Sequence, residues 1–243
     1  MAKATSWPYT DAETRERGEQ TGLDKKGDGY TLVASNVGLT SGESNTFNIL
    51  AAGYFMITGT DTMTAGGTNS LSITAYNEDG SITTGYDGSY LLEFSGLNIA
   101  PDGVTNPTVN GTNFGSNTTV VFESGVSVSG GAVLMAYCAE TQNVYVEDSE
   151  ISSSDHPFSL TVRAGSATNV NLNVEPASAV AGVAIAPAIS VEIRDTWMNR
   201  CTGDNTSSVV ISIDTNPGSG TLSGVVTKTV TSGVVTFGDL SIN

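Results

Sequence analysis

The chain has 243 residues, 38% of them hydrophobic and 7% aromatic, with a formal net charge of −16. That charge makes phosphate backbones and anionic membrane surfaces poor partners, and no apolar run approaches the roughly 20 residues that span a bilayer. Residues 1–26 hold five bases and five acids, so residues 27–243, with four bases and twenty acids, carry the whole −16.

Residues 1–22 read as a leader or arm. Thr10 is placed to cap a short helix with acids in its first turn, and Gly18 and Gly22 limit it. Met1–Tyr9 has no continuous apolar core of the secretory kind, so such a signal would lie outside this chain, or export would take another route. From there on, short runs rich in Val, Ile, Thr, Tyr and Phe alternate in polarity and are punctuated by Gly, Asn and Asp. This is the pattern of strands in a β-sandwich. The predicted strands are 29–35, 46–51, 54–58, 69–76, 88–95, 118–123, 131–138, 142–147 and 158–164. They continue with 168–174, 188–194, 207–213, 220–223, 226–231 and 233–237. Residues 96–117 read as a long loop, the best place for a module-specific contact.

An internal repeat organises these strands. The stretch from Phe47 to Asp79 is echoed from Phe158 to Asp195, and residues 30–35 are aligned with 134–139 upstream of it. The expected division is therefore 23–51 as two strands that finish a module, 52–164 as a whole module, and 165–243 as a module that stops early. Either the chain is a piece of a longer array, or each molecule finishes its neighbour. In the second case the donor side chains are Tyr30, Leu32, Val33, Phe47, Ile49 and Leu50, and the contact runs head-to-tail between copies of this chain.

Little in the sequence points to catalysis. His156 is the only histidine, no Gly-x-Ser-x-Gly elbow is present, and no phosphate loop or dinucleotide fingerprint appears. An enzyme is not expected. Asp195, Asn199, Asp204 and Asn205 cluster in one interstrand loop, and Asn77, Glu78 and Asp79 occupy the equivalent loop of the preceding module. Such oxygen-rich loops are candidates for calcium, the one cofactor considered; Asp and Asn also favour turns for local reasons. Cys138 and Cys201 form no disulfide framework and lack metal-finger spacing. They are read as separate thiols or as one bridge in an oxidising compartment.

The second module carries Glu175-Pro, then Val191-Glu-Ile-Arg-Asp195 with Asn199, and closes on Gly233-Val-Val-Thr-Phe237 and Leu240-Ser-Ile242. This resembles the bacterial immunoglobulin-like repeats of invasin-type adhesins and S-layer proteins. There the Leu-Ser-Ile stretch is followed by a Gly-Tyr-Thr-Leu strand and a final Phe-x-Ile strand, elements that stand here at Gly29–Leu32 and Phe47–Ile49. The resemblance implies an all-β fold of tandem Ig-like sandwiches with an extended N-terminal arm, at a cell surface or outside the cell, and says nothing of a reaction. The expected function is a structural surface protein polymerising by strand complementation. The alternatives are an adhesin that presents a loop to a cell-surface glycan or host protein, a phage virion protein, and a fragment of a repeat array.

Overall fold

The computed structural model describes residues 27–49 and 52–243. The N-terminal arm, its expected helix and Leu50 lie outside the described residues. The chain divides into two compact units, one up to Ala51 and one from Ala52 onward. All regular structure among the described residues is β-strand and the fold is all-β, as the polarity alternation implies.

In the first unit, β1 (Gly27–Tyr30) pairs antiparallel with β4 (Phe47–Ile49), placing Tyr30 opposite Phe47. β2 (Val33–Ala34) pairs with β3 (Gly42–Glu43), so the segment is a long hairpin.

The second unit opens with β5 (Ala52–Thr58), β6 (Thr62–Thr64), β7 (Thr68–Asn77) and β8 (Gly88–Ser95). The insertion after β8 contains β9 (Thr108–Val109) and β10 (Thr112–Asn113). β11 (Asn117–Glu123), β12 (Val126–Ser127), β13 (Ala132–Met135), β14 (Thr141–Glu147) and β15 (Phe158–Arg163) complete the first sandwich. Its two layers run β10-β9-β13-β7-β5 and β11-β8-β14-β15-β6, with β12 joining β7 to β11. Alternation drives the packing. In β7 Leu71, Ile73 and Ala75 point inward, and in β11 Thr118, Val120 and Phe122 do. They meet Phe55, Ile57, Leu92, Phe94, Val144, Val146 and Leu160 in one continuous core.

The second sandwich comprises β16 (Asn169–Val174), β17 (Ile189–Arg194), β18 (Ser208–Val210), β19 (Leu222–Ser223), β20 (Thr227–Thr229), β21 (Val234–Phe237) and β22 (Ser241–Ile242). β16-β17-β21 form one sheet, and β18-β20 and β19-β22 are two-stranded. Its core is a separate cluster around Ile189, Val191, Ile193, Val209, Val230, Val235, Phe237 and Leu240.

Two expectations need correction. The strand predicted over 131–138 ends at Met135, so Cys138 lies beyond it. The upstream part of the repeat alignment also shifts. Residues 134–139 belong to β13 and the turn after it, whereas the hairpin 27–49 has its counterpart in β14–β15. Val144 faces Phe158 there as Tyr30 faces Phe47.

Candidate functional site

The two sandwiches present the same strands in the same order up to a point. β5, β7, β8, β11 and β13 of the first correspond to β16, β17, β18, β20 and β21 of the second. In the first, β14 and β15 then fill out the second layer. β8 is bonded by β11 on one edge and by β14 on the other, and β5 lies against both β14 and β15. Phe55 and Ile57 on β5 are accordingly buried.

The matching strand of the second sandwich is bare. Val170 and Leu172 lie opposite Ile193 and Val191 in the β16–β17 register. Residues directly opposite on antiparallel strands share a face, so Val170 and Leu172 face the core side. Ile193 and Val191 are 5% and 2% exposed, yet Val170 is 67% and Leu172 49% exposed. Among the described residues β18 pairs with β20 alone. An uncovered sheet face and an open edge therefore occur in the same sandwich, the kind of surface that folded proteins otherwise cover.

The hairpin 27–49 is the complementary case. Leu32 donates its backbone N–H to Ser44 Oγ at 2.9 Å, and Ser44 N–H donates to the Leu32 carbonyl at 2.9 Å. In β14–β15 the Val146 N–H donates to Ser153 Oγ at 2.8 Å, and Ser153 N–H returns to the Val146 carbonyl at 2.9 Å. Tyr30 and Leu32 thus stand where Val144 and Val146 stand, Phe47 where Phe158 stands, and Ile49 where Leu160 stands. Val33 takes the place of Glu147, which faces solvent. Val146 is 1% exposed inside its sandwich; Leu32 is 61% exposed. Tyr30 and Phe47 are half-buried, their rings 6.1 Å apart.

The loop singled out for calcium is used as a joint between the sandwiches. The buried Asp195 carboxylate accepts hydrogen bonds from the backbone N–H groups of Gly165, Trp197 and Asn199 and from the Asn199 amide, all at 2.8–2.9 Å. The Asn199 amide reaches across, donating to the Tyr137 carbonyl and accepting from Ala139 N–H, both at 2.7 Å. Trp197 lies against Gly66, where an added Cβ would come within 2.0 Å of the indole. A cation at Asp195 would have to displace four N–H donors.

Asp204 and Asn205 serve elsewhere. Asp204 accepts from Thr206 N–H and Ser207 N–H, and its hydrogen bonds to Ser207 and Thr206 hold its pKa down at about 2. Asn205 accepts from Ser232 N–H. No group of three or more His, Cys, Asp or Glu that could hold a metal gathers among the described residues.

Cys138 and Cys201 are free thiols, and the buried Cys201 directs its sulfur at the Gly165 carbonyl, 3.7 Å away. Burial raises the pKa of both, with Glu140 adding to the effect at Cys138 and Asp195 and Asp204 at Cys201. His156 stacks on Tyr54 with ring centroids 4.0 Å apart.

The 96–117 insertion is folded rather than loose. Val109 is fully buried, and β9 adds to β13. Asp102 accepts from Val104 and Thr105 N–H. Ile99 and Val104 remain exposed on it.

No protein-family model matches the chain, and no curated protein matches it. Six solved chains match. One of them is FdeC, an Escherichia coli adhesin, with 18% identity and a TM-score of 0.42 over 82% of this chain and 60% of that one. The chain thus spans less than two thirds of that structure's length.

Proposed function

We propose that the protein is a non-catalytic structural component of an extracellular or cell-surface assembly. Its molecules join head-to-tail, with residues 27–49 of one copy completing the 165–243 sandwich of the next. The observation that carries this reading is the exposed core face of β16. Val170 and Leu172 are bare where Phe55 and Ile57 of the first sandwich are covered by a hairpin. The same molecule displays a hairpin that repeats the Val144–Phe158 and Val146–Ser153 pairings as Tyr30–Phe47 and Leu32–Ser44, with Leu32 uncovered.

The magnitudes are adequate for association. Val170, Leu172, Leu32 and Phe47 are each worth about 1.5–3 kcal/mol on full burial before entropic costs, and cross-strand hydrogen bonds add to that. Because donor and acceptor surfaces differ, the contact repeats into a filament or sheet unless it closes as a ring. The acidic bodies repel one another, so association strengthens with salt, which screens that repulsion.

Sedimentation velocity of the full chain over a wide concentration range tests the reading. The sedimentation coefficient should grow with concentration, and Leu32→Asp or Leu172→Asp should each leave a monomer. Both positions are exposed, so neither change threatens the fold. Mixing the two variants should give a capped one-to-one pair, since each retains the half the other lacks. A chain that stays monomeric throughout, or assembles regardless of both changes, contradicts the proposal.

A second reading, adhesion through the 96–117 insertion, is favoured by its fixed fold and its exposed Ile99 and Val104. Binding of the monomeric Leu32→Asp variant to a glycan array, lost on Val104→Asp, would support it.

A further inference from the structure

Resting on that head-to-tail reading, the geometry points to where the incoming segment lands, in which direction, and in what form. In the complete sandwich the hairpin β14–β15 has two attachments. Its first strand runs antiparallel to β8, with Tyr145 opposite Ser95 and Val146 opposite Phe94. Its second strand runs parallel to β6, with Val162 opposite Met63.

Both landing places have counterparts in the second sandwich. β18 stands for β8, since each leads into a strand that pairs back on it: β11 on β8, and β20 on β18. Residues 180–185, between β16 and β17, stand for β6. There Gly182 N–H donates to the Ile242 carbonyl and Ile185 N–H to the Leu240 carbonyl.

We infer that the 27–49 segment of a second copy docks as a ready-made hairpin rather than as a single extended strand. Its first strand runs antiparallel along the open edge of β18, Leu32 covers Val170 and Leu172, and its second strand runs parallel to residues 180–185. The reciprocal Leu32–Ser44 hydrogen bonds fix the pairing of the two arms before docking. Ordering entropy that a loose strand would lose on binding is therefore already spent. Other open edges compete, two of them in one sheet. In the sheet β16-β17-β21, β16 and β21 each have one partner among the described residues. A hairpin landing on either would extend that sheet and leave Val170 and Leu172 bare.

Site-directed disulfide trapping in the full chain separates these geometries. Val33→Cys, on the outward face of the hairpin, is mixed with chains carrying a cysteine at Ser208, Val210 or Ser212 around β18, at Asn171 on β16, or at Thr236 on β21. The mixtures are oxidised, and the linked peptides are identified by mass spectrometry, which also distinguishes the native Cys138 and Cys201. The account predicts that Val33→Cys links to the β18 set and not to Asn171→Cys or Thr236→Cys. It further predicts that Ser44→Ala, which removes the hydroxyl but no apolar surface, weakens association while leaving the same link.

Association with links at β16 or β21, spread equally over all three strands, or with none at β18, overturns this geometry and leaves the head-to-tail reading standing. A chain that does not associate at any concentration overturns both.

Discussion

The two sandwiches of residues 52–243 share one strand plan and part company after its last common strand. In the first, β14 and β15 come next, and the core face of β5 is sealed. In the second, the strand after β21 is the short β22, which pairs with β19, and the core face of β16 is open. The same alternating pattern that buries Phe55 and Ile57 leaves Val170 and Leu172 exposed. Inward-facing sequence therefore specifies which face of a strand is apolar. Whether that face is dry depends on a partner strand.

Substitutions should reproduce this contrast. Phe55→Ala in the sealed core should cost about 3–5 kcal/mol in urea unfolding, from lost burial plus the cavity left behind. Leu172→Ala, on the equivalent strand of the open sandwich, should change unfolding of dilute monomer by under about 1 kcal/mol. A large loss at Leu172 in dilute protein would mean that something in the monomer already covers it.

The joint ranks next. Asn199→Ala removes two hydrogen bonds that cross between the sandwiches and one to the buried Asp195. It leaves the half-buried Tyr137 carbonyl and Ala139 N–H without this partner and takes one donor from the buried Asp195, at a cost of about 1–3 kcal/mol. Small-angle scattering should show a wider spread of angles between the sandwiches. Gly66→Ala attacks the same joint from the other side. Gly66 has a φ of +73°, and an added methyl would strike Trp197, so a loss of about 1–3 kcal/mol is expected.

The smallest effect concerns acid. The Asp204 carboxyl has its pKa lowered from 3.8 to about 2 in the folded chain. A group with a depressed folded pKa stabilises above its unfolded pKa and loses that contribution as pH falls through the folded one. Asp204→Asn should therefore flatten the fall in stability between roughly pH 4 and pH 2, read by circular dichroism melts.

Much of the fold is legible in the sequence, for identifiable reasons. Strand positions emerge from period-2 runs such as Leu71–Ala75 and Ile189–Ile193, where β-branched and apolar residues alternate with polar ones. The 96–117 insertion reads as a loop because Thr108–Asn113 is rich in Thr, Asn and Gly, a composition that suits a turn as well as the short β9–β10 pair it forms. The upstream repeat alignment slips because Leu134-Met-Ala and Val144-Tyr-Val both alternate. The strand pairing of Tyr30 with Phe47 and of Val144 with Phe158, together with the Ser44 and Ser153 hydroxyl bonds, distinguishes the counterpart. The Asp195–Asn199 loop stands out for its oxygens, while its use as a joint is hidden. What Asn199 binds, Tyr137 and Ala139, lies some sixty residues away in a turn with no distinctive composition.

The most direct test of the open sandwich and its completing hairpin is hydrogen exchange of the full chain, measured by mass spectrometry at low and high protein concentration. The account predicts that amides of β18 and of residues 180–185 gain protection as concentration rises, together with those of 27–49, while β5, β8 and β14 stay unchanged. Protection of β18 and 27–49 that is identical at both concentrations would contradict it.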